Sequence, residues 1–355
     1  MTSKGFKAPA YVLFAVATLV TVLLCTAVGS VYIPLPDALA AIWNSLTSWL
    51  SGAFMGTSAA APTGGSVATV ADIVPSVRLP RVLCAGLVGA ALAVSGCAMQ
   101  GLLKNPLADG STLGVSAGAS LGAVLAIVFG LNLAALPFAG TTIMAALFAF
   151  LSLLTILALA YRLDYSLSTN TIILVGVIFG MFVSALISIF IVFAGQQAAH
   201  IIFWTMGSLQ GRGYEYVLML LLVLAVFGGI LLSLRRELNA FAIGEDNARH
   251  LGVDVKRVKL LVLICTAALI GAAVSVGGTI AFVGLVTPHI VRMLTGPNHA
   301  RLMPASLFGG AIFLMLCDLI ARTALIPREL PIGVITSIIG AVIFVRIFFV
   351  TRKVR

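Results

Sequence analysis

Apolar runs of about 20 residues, divided by short polar breaks, recur from one end of the chain to the other. That is the length an α-helix needs to cross roughly 30 Å of hydrocarbon. Membrane-spanning β-strands would alternate in polarity and be about half as long, so helices are predicted. Ten spans follow, at 10–31, 82–103, 112–130, 139–161, 170–194, 215–234, 259–279, 281–295, 304–325 and 332–350. The eighth is short and is broken by Thr287-Pro288. Between the first two spans lies an outer segment, 32–77. It opens at Pro34 to Asp37, continues as an amphipathic helix from Ala38 to Leu50, and ends in a Gly-, Ala-, Ser- and Thr-rich stretch that reads as a flexible linker.

Composition fixes the class. With 61% hydrophobic and 9% charged residues and a mean hydropathy of +1.17, the chain cannot cover itself with polar surface in water. It reads as an all-α integral membrane protein forming a single transmembrane domain over residues 1–355. The first apolar run follows Lys4 and Lys7 without a small-residue cleavage site, so it is predicted to be a retained helix. A cytoplasmic N-terminus puts sixteen Lys and Arg residues inside and five outside, as the positive-inside rule requires, and returns the C-terminus to the same side. The net charge of +10 therefore calls for no nucleic-acid partner. Cys25, Cys84, Cys97, Cys265 and Cys317 fall singly within spans and read as small buried hydrophobes, with no metal-ligand spacing. His200, on the outer side, is the one histidine worth testing as a haem or metal contact, although a structural role is the commoner fate of a lone His.

Charge is concentrated in one place. Ten of the 32 Asp, Glu, Lys and Arg residues lie between Arg235 and Lys259, flanked on both sides by spans. A polar platform hung from membrane helices suits docking. Its basic ends, Arg235, Arg236 and the residues from Lys256 onward, are expected mainly to mark the membrane boundary.

An internal repeat bears on mechanism. Leu87 to Gly96 in the second span and Leu269 to Gly278 in the seventh share six identities in ten positions. The two spans are five apart and so run in opposite directions, and each is followed by a Pro-interrupted turn, Asn105-Pro106 or Thr287-Pro288. Inverted repeats broken at corresponding places are a transporter signature, here spans 2–5 against 7–10. Gly114, Gly118 and Gly122 line one face of span three, as close helix packing or a pore lining would require. Asp318 and Arg322, four residues apart, can pair on one helical face. Beyond that pair no span holds the buried acid that ion coupling uses, and GxxxxGK[ST] is absent. An intramembrane enzyme is disfavoured, since neither HExxH nor a Ser/His constellation is present. Energy is expected from a separate ATPase.

Several strings together identify a resemblance. Arg78-Leu-Pro-Arg81 leads into the repeat, MQGLLKNPLADGSTLGVSAGA occupies 99–119, AIGEDNARHLG occupies 242–252, GGTIAFVGLVTPHIVR occupies 277–292, and Glu329-Leu-Pro-Ile-Gly-Val follows. In combination and order these resemble the FecCD-type permeases, the membrane subunits of type II ABC importers for ferric siderophores, haem and cobalamin. The resemblance implies a homodimer bound to two ATP-binding cassette subunits, with ATP and Mg held on those partners and no cofactor on this chain. An extracytoplasmic binding protein would deliver cargo, the membrane being a bacterial inner membrane. Gly244, Glu245, Asp246, Asn247, Ala248, Arg249, His250, Leu251 and Gly252 resemble the coupling helices that engage the ATPase. Arg78, Arg81 and Arg322 resemble contacts to the binding protein, with snorkelling to headgroups as the alternative for the first two. Asn105, Leu107, Ser168 and Thr169 resemble the cytoplasmic gate, although Ser168 and Thr169 equally suit a helix N-cap. The 32–77 segment departs from the commoner family pattern. The resemblance favours an iron chelate or haem, with cobalamin as the alternative within the family and an ion-coupled secondary transporter outside it.

Overall fold

The computed structural model describes residues 8–29, 33–55, 70–131, 139–165 and 168–353, among which no strand occurs. Among the described residues there are sixteen α-helices: α1 (Ala8–Ala27), α2 (Leu35–Met55), α3 (Val70–Ile73), α4 (Leu79–Leu103), α5 (Val115–Val128), α6 (Ala139–Leu163), α7 (Thr169–Phe193), α8 (Ala198–Thr205), α9 (Tyr214–Val223), α10 (Gly229–Ser233), α11 (Arg235–Ile243), α12 (Glu245–His250), α13 (Val255–Gly277), α14 (Val283–Thr295), α15 (His299–Thr323) and α16 (Ile332–Lys353). Seven are long and apolar enough to cross a membrane once short π turns are included, which join α3 to α4 and α9 to α10. The short α5 and α14, with α16, occupy the remaining three predicted spans. The amphipathic helix expected from Ala38 to Leu50 is present within α2. The greater part of the linker, 56–69, lies outside the described residues.

The two halves are related as the repeat predicts. Exchanging α4 with α13, α5 with α14, α6 with α15 and α7 with α16 maps the packing onto itself. Thus α4 packs on α15 and α13 on α6, α4 on α14 and α13 on α5, α5 on α6 and α14 on α15, with α4 against α13 at the centre. A left-handed residue introduces the short second helix of each half, Gly114 (φ 69°) before α5 and Phe282 (φ 68°) before α14.

Burial ranks the spans in a way their apolarity does not. The windows Val74–Leu103 and Val255–Gly277 are 83% and 78% buried, whereas Thr169–Phe193 is 22% buried and therefore peripheral. Small residues bring the central helices together. A Cβ on Gly96 would overlap the carbonyl of Gly284 in α14, and one on Gly89 that of Gly310 in α15, so backbone meets backbone at both crossings. Gly118 and Gly122 likewise face α6 at Ser152 and Met144, which identifies that glycine face as a packing surface.

Candidate functional site

The charged platform folds into α11 and α12. Leu238 and Phe241, both 0% exposed, anchor α11 to the bundle, and Asn239 pins it further. The Asn239 Oδ1 accepts from the His299 backbone N–H at 2.9 Å and lies 2.9 Å from that residue's Nδ1, while its Nδ2 donates to Asn298 at 3.0 Å. Gly244 then turns the chain at φ 133°, a conformation that only glycine adopts without strain. Glu245 and Asp246 open α12 and Arg249 stands in its last turn, so these charges complement the helix dipole. After Gly252 (φ 84°), Asp254 caps α13 by accepting from the Arg257 N–H at 3.0 Å.

Glu245 is the junction of this region. One carboxylate oxygen accepts from the Thr169 hydroxyl at 3.1 Å, and the other meets the Lys259 ammonium at 2.8 Å. Thr169 opens α7 in the first half and Lys259 lies in α13 of the second, so α12 is tied to both halves of the repeat through one side chain. Burial pushes the Glu245 carboxyl up, but Lys259, the Thr169 hydroxyl and Lys104 together hold it below the usual carboxylate range. Lys104, Ser168, Thr169 and residues Gly244 to Asn247 line an open cleft here.

Lys259 corrects one expectation. Its side chain is 2% exposed and carries the Glu245 bridge, so it is a buried ion-pair partner of α12 and not a solvent- or headgroup-facing charge. Lys256, also expected at the boundary, lies about 5 Å from the ring centroids of Tyr161 and Tyr165, a cation–π contact that holds the end of α6. The expected gate divides. Ser168 is the N-cap of α7, accepting from the Thr171 N–H, and Thr169 reaches α12. Asn105 accepts from the Leu107 N–H at 2.9 Å within its own turn, and neither residue lines the α12 cleft. Leu107 is 49% exposed.

The three arginines expected at an outer docking surface lie inside the fold. Arg78, 7% exposed, donates to the carbonyls of Thr26 and Ala27 at the end of α1, at 3.2 and 3.0 Å. Arg81 bridges Asp318 and Glu329, at 2.9 Å to each. Arg322 pairs with Asp318 at 3.3 Å, the i,i+4 pair read from the sequence, and donates to the Cys25 carbonyl. Asp318 is 1% exposed, so this network fastens α1, α4 and α15 to one another and to the turn before α16. Removing one member of so buried a set leaves an uncompensated charge, typically at a cost of about 3–5 kcal/mol.

Sequence reasoning missed a second cross-half tie. Gln100 in α4 donates from Nε2 to the Leu285 carbonyl at 3.1 Å and accepts from Arg292 at 3.0 Å, joining α4 to α14. Its signal was legible as a lone amide inside an apolar span, where a polar group needs a partner. His200 stands at the opposite end of the bundle from α12, exposed on α8.

Comparison with known proteins gives this arrangement its context. An uncharacterised ABC transporter permease of Bacillus subtilis is 42% identical over 330 residues, covering 92% of this chain and 89% of that one. A cobalamin import permease of Halobacterium salinarum is 40% identical, with 78% and 73% covered, and a hemin transport permease of Yersinia pestis is 38% identical, with 79% and 84% covered. Among solved structures, an inward-facing ABC transporter described as of metal-chelate type superposes with a TM-score of 0.80 at 29% identity, covering 97% of this chain and 99% of that one. The model of the FecCD transport family matches residues 17–350, and the chain belongs to that family of ABC importer permeases.

Proposed function

We propose that the chain is one half of a homodimeric channel that imports an iron chelate, ferric siderophore or haem, across the membrane. A binding protein delivers the cargo to the face carrying α8, and two ATPase subunits engage α12 from the other. Both chain termini lie on the ATPase side. The observation that carries the reading is Glu245, because a push on α12 is delivered through it to Thr169 of one half and Lys259 of the other at once. Ile243 and Leu251 flank α12 and are each 67% exposed, an apolar pair beside a charged helix that suits a protein partner. ATP and Mg belong to that partner; this chain supplies no covalent chemistry and moves as two linked halves.

Ser168 and Thr169 form the gate that α12 acts upon, with Asn105 and Leu107 in the turn after α4. Docking of the binding protein is guided by Arg78, Arg81 and Arg322 through the surface they organise, since Glu329, 34% exposed, is the outermost member of their network. Relatives are named for cobalamin, hemin, iron chelatin and molybdate, and those named for hemin and iron chelatin support the iron-chelate reading. Proteoliposomes holding this chain, its ATPase and its binding protein should accumulate a ferric siderophore or haemin when ATP is enclosed with the ATPase. Accumulation of cyanocobalamin alone would overturn the cargo, and accumulation driven by an ion gradient without ATP would overturn the mechanism.

A further inference from the structure

A cavity of about 560 Å³ opens at the end of the bundle opposite α12, where α5 ends, α6 begins and α13 stops at Gly278. Its volume lies within the range of small-molecule sites. His200, Phe203 and Trp204 of α8 supply ring faces, and Gln197 and Gln210 supply amides. Arg212 supplies a charge.

Arg212 is the unusual member. It is half-buried, yet among the described residues no carboxylate forms an ion pair with it and its Nε has no hydrogen-bond partner. The acid nearest in sequence, Glu215, lines a separate cleft beneath α2. The guanidinium rests over the ring of Tyr216, 4.9 Å from its centroid and 8% exposed, a cation–π contact that leaves Nε without a hydrogen-bond partner. The loop carrying it is rigidly seated. Ser208 donates its N–H to the Gly277 carbonyl at 2.9 Å, Ile332 donates to the Gly207 carbonyl at 3.1 Å, and Leu209 is 1% exposed. A cation with no acid partner among the described residues, set rigidly beside aromatic faces and amides, is arranged for an anion that arrives with a flat apolar surface.

We propose that this cavity is a binding site for a planar, carboxylate-bearing metal chelate, with Arg212 pairing the carboxylate and Trp204 stacking on the ring. The proposal deepens the importer reading, on which its biological meaning rests, by giving the chain its own affinity for an anionic cargo.

Equilibrium binding to the isolated chain tests it without ATPase or binding protein. In phosphatidylcholine nanodiscs, a Trp43→Phe, Trp49→Phe background leaves Trp204 as the sole tryptophan of the three in the chain. Haemin is the probe, being planar with two carboxylates. Saturable quenching of Trp204 is expected, weakened about tenfold by Arg212→Gln and largely restored by Arg212→Lys. Cyanocobalamin, with amide groups in place of free carboxylates, should bind no differently to the Arg212→Gln variant and the parent. Quenching that never saturates, as for haemin dissolved in lipid only, would overturn the site. So would equal haemin affinity in parent and Arg212→Gln variants that elute and melt alike. A failure here leaves ATP-driven uptake intact, whereas a failure of the importer reading abolishes ATP-driven uptake and leaves this binding in place.

Discussion

Glu245 was visible in the sequence only as the first acid of a charged loop; its partners lie 76 positions before it and 14 after it. Such a junction is invisible to local pattern, because nothing in the spacing of Thr169, Glu245 and Lys259 requires them to meet. The same holds for the arginines. Positive charge at the outer ends of spans invites a surface reading, but Arg78, Arg81 and Arg322 find carbonyls or carboxylates within the fold. Only Asp318 with Arg322 was legible, since four residues along a helix set two side chains on one face. The depressed carboxyl of Glu245 carries a pH dependence. A group whose folded pKa lies below its unfolded value stabilises the fold above the usual carboxylate pKa of about 4.3 and stops doing so as pH falls through the folded value. Amide exchange in α12 is therefore expected to stay slow relative to the unfolded chain at pH 5 and above, and to lose protection progressively below about pH 4. Glu245→Gln should abolish that acid-dependent step, and a step of equal size in the variant would reject Glu245 as its origin.

Elements were read more fully than residues. All ten apolar runs became helices, because each run is long enough and the bilayer allows no unpaired backbone. What hydropathy could not show is which helices are central. Every span is apolar whether it faces lipid or protein, and the distinguishing mark is small size. Gly89 and Gly96 in α4, with Gly284 and Gly310 opposite, make the central crossings, and the inverted repeat carried that signal in its Gly-rich decapeptide. Gly96→Ala should drive α4 and α14 apart and lower the melting temperature by several degrees or prevent folding, since backbone has no way to yield locally. Gly229→Ala is the counterpart. A Cβ there meets nothing within 4 Å, and alanine favours helix by about 1 kcal/mol, so stability should hold or rise. Equal losses for the two in a thermal unfolding series would show that the close crossing is not what holds α4.

At the scale of the whole molecule, the two halves are joined at three depths. The arginine network binds α1, α4 and α15 at one end, the glycine crossings and Gln100 join α4 to α14 and α15 further along, and Glu245 joins α7, α12 and α13 at the other. The first two sets are buried and resist separation. The last stands on a helix of six residues with an open cleft beside it, the place where an outside force can act. Such a division suits a machine whose halves rock about a fixed centre. Its most direct test is the ratio of cargo accumulated to ATP hydrolysed in proteoliposomes containing the chain, its ATPase and its binding protein. For Lys259→Met, which leaves Glu245 bonded to α7 but not to α13, hydrolysis should continue while uptake per ATP falls at least tenfold. An unchanged ratio in a correctly assembled Lys259→Met complex would contradict the claim that α12 drives both halves through Glu245.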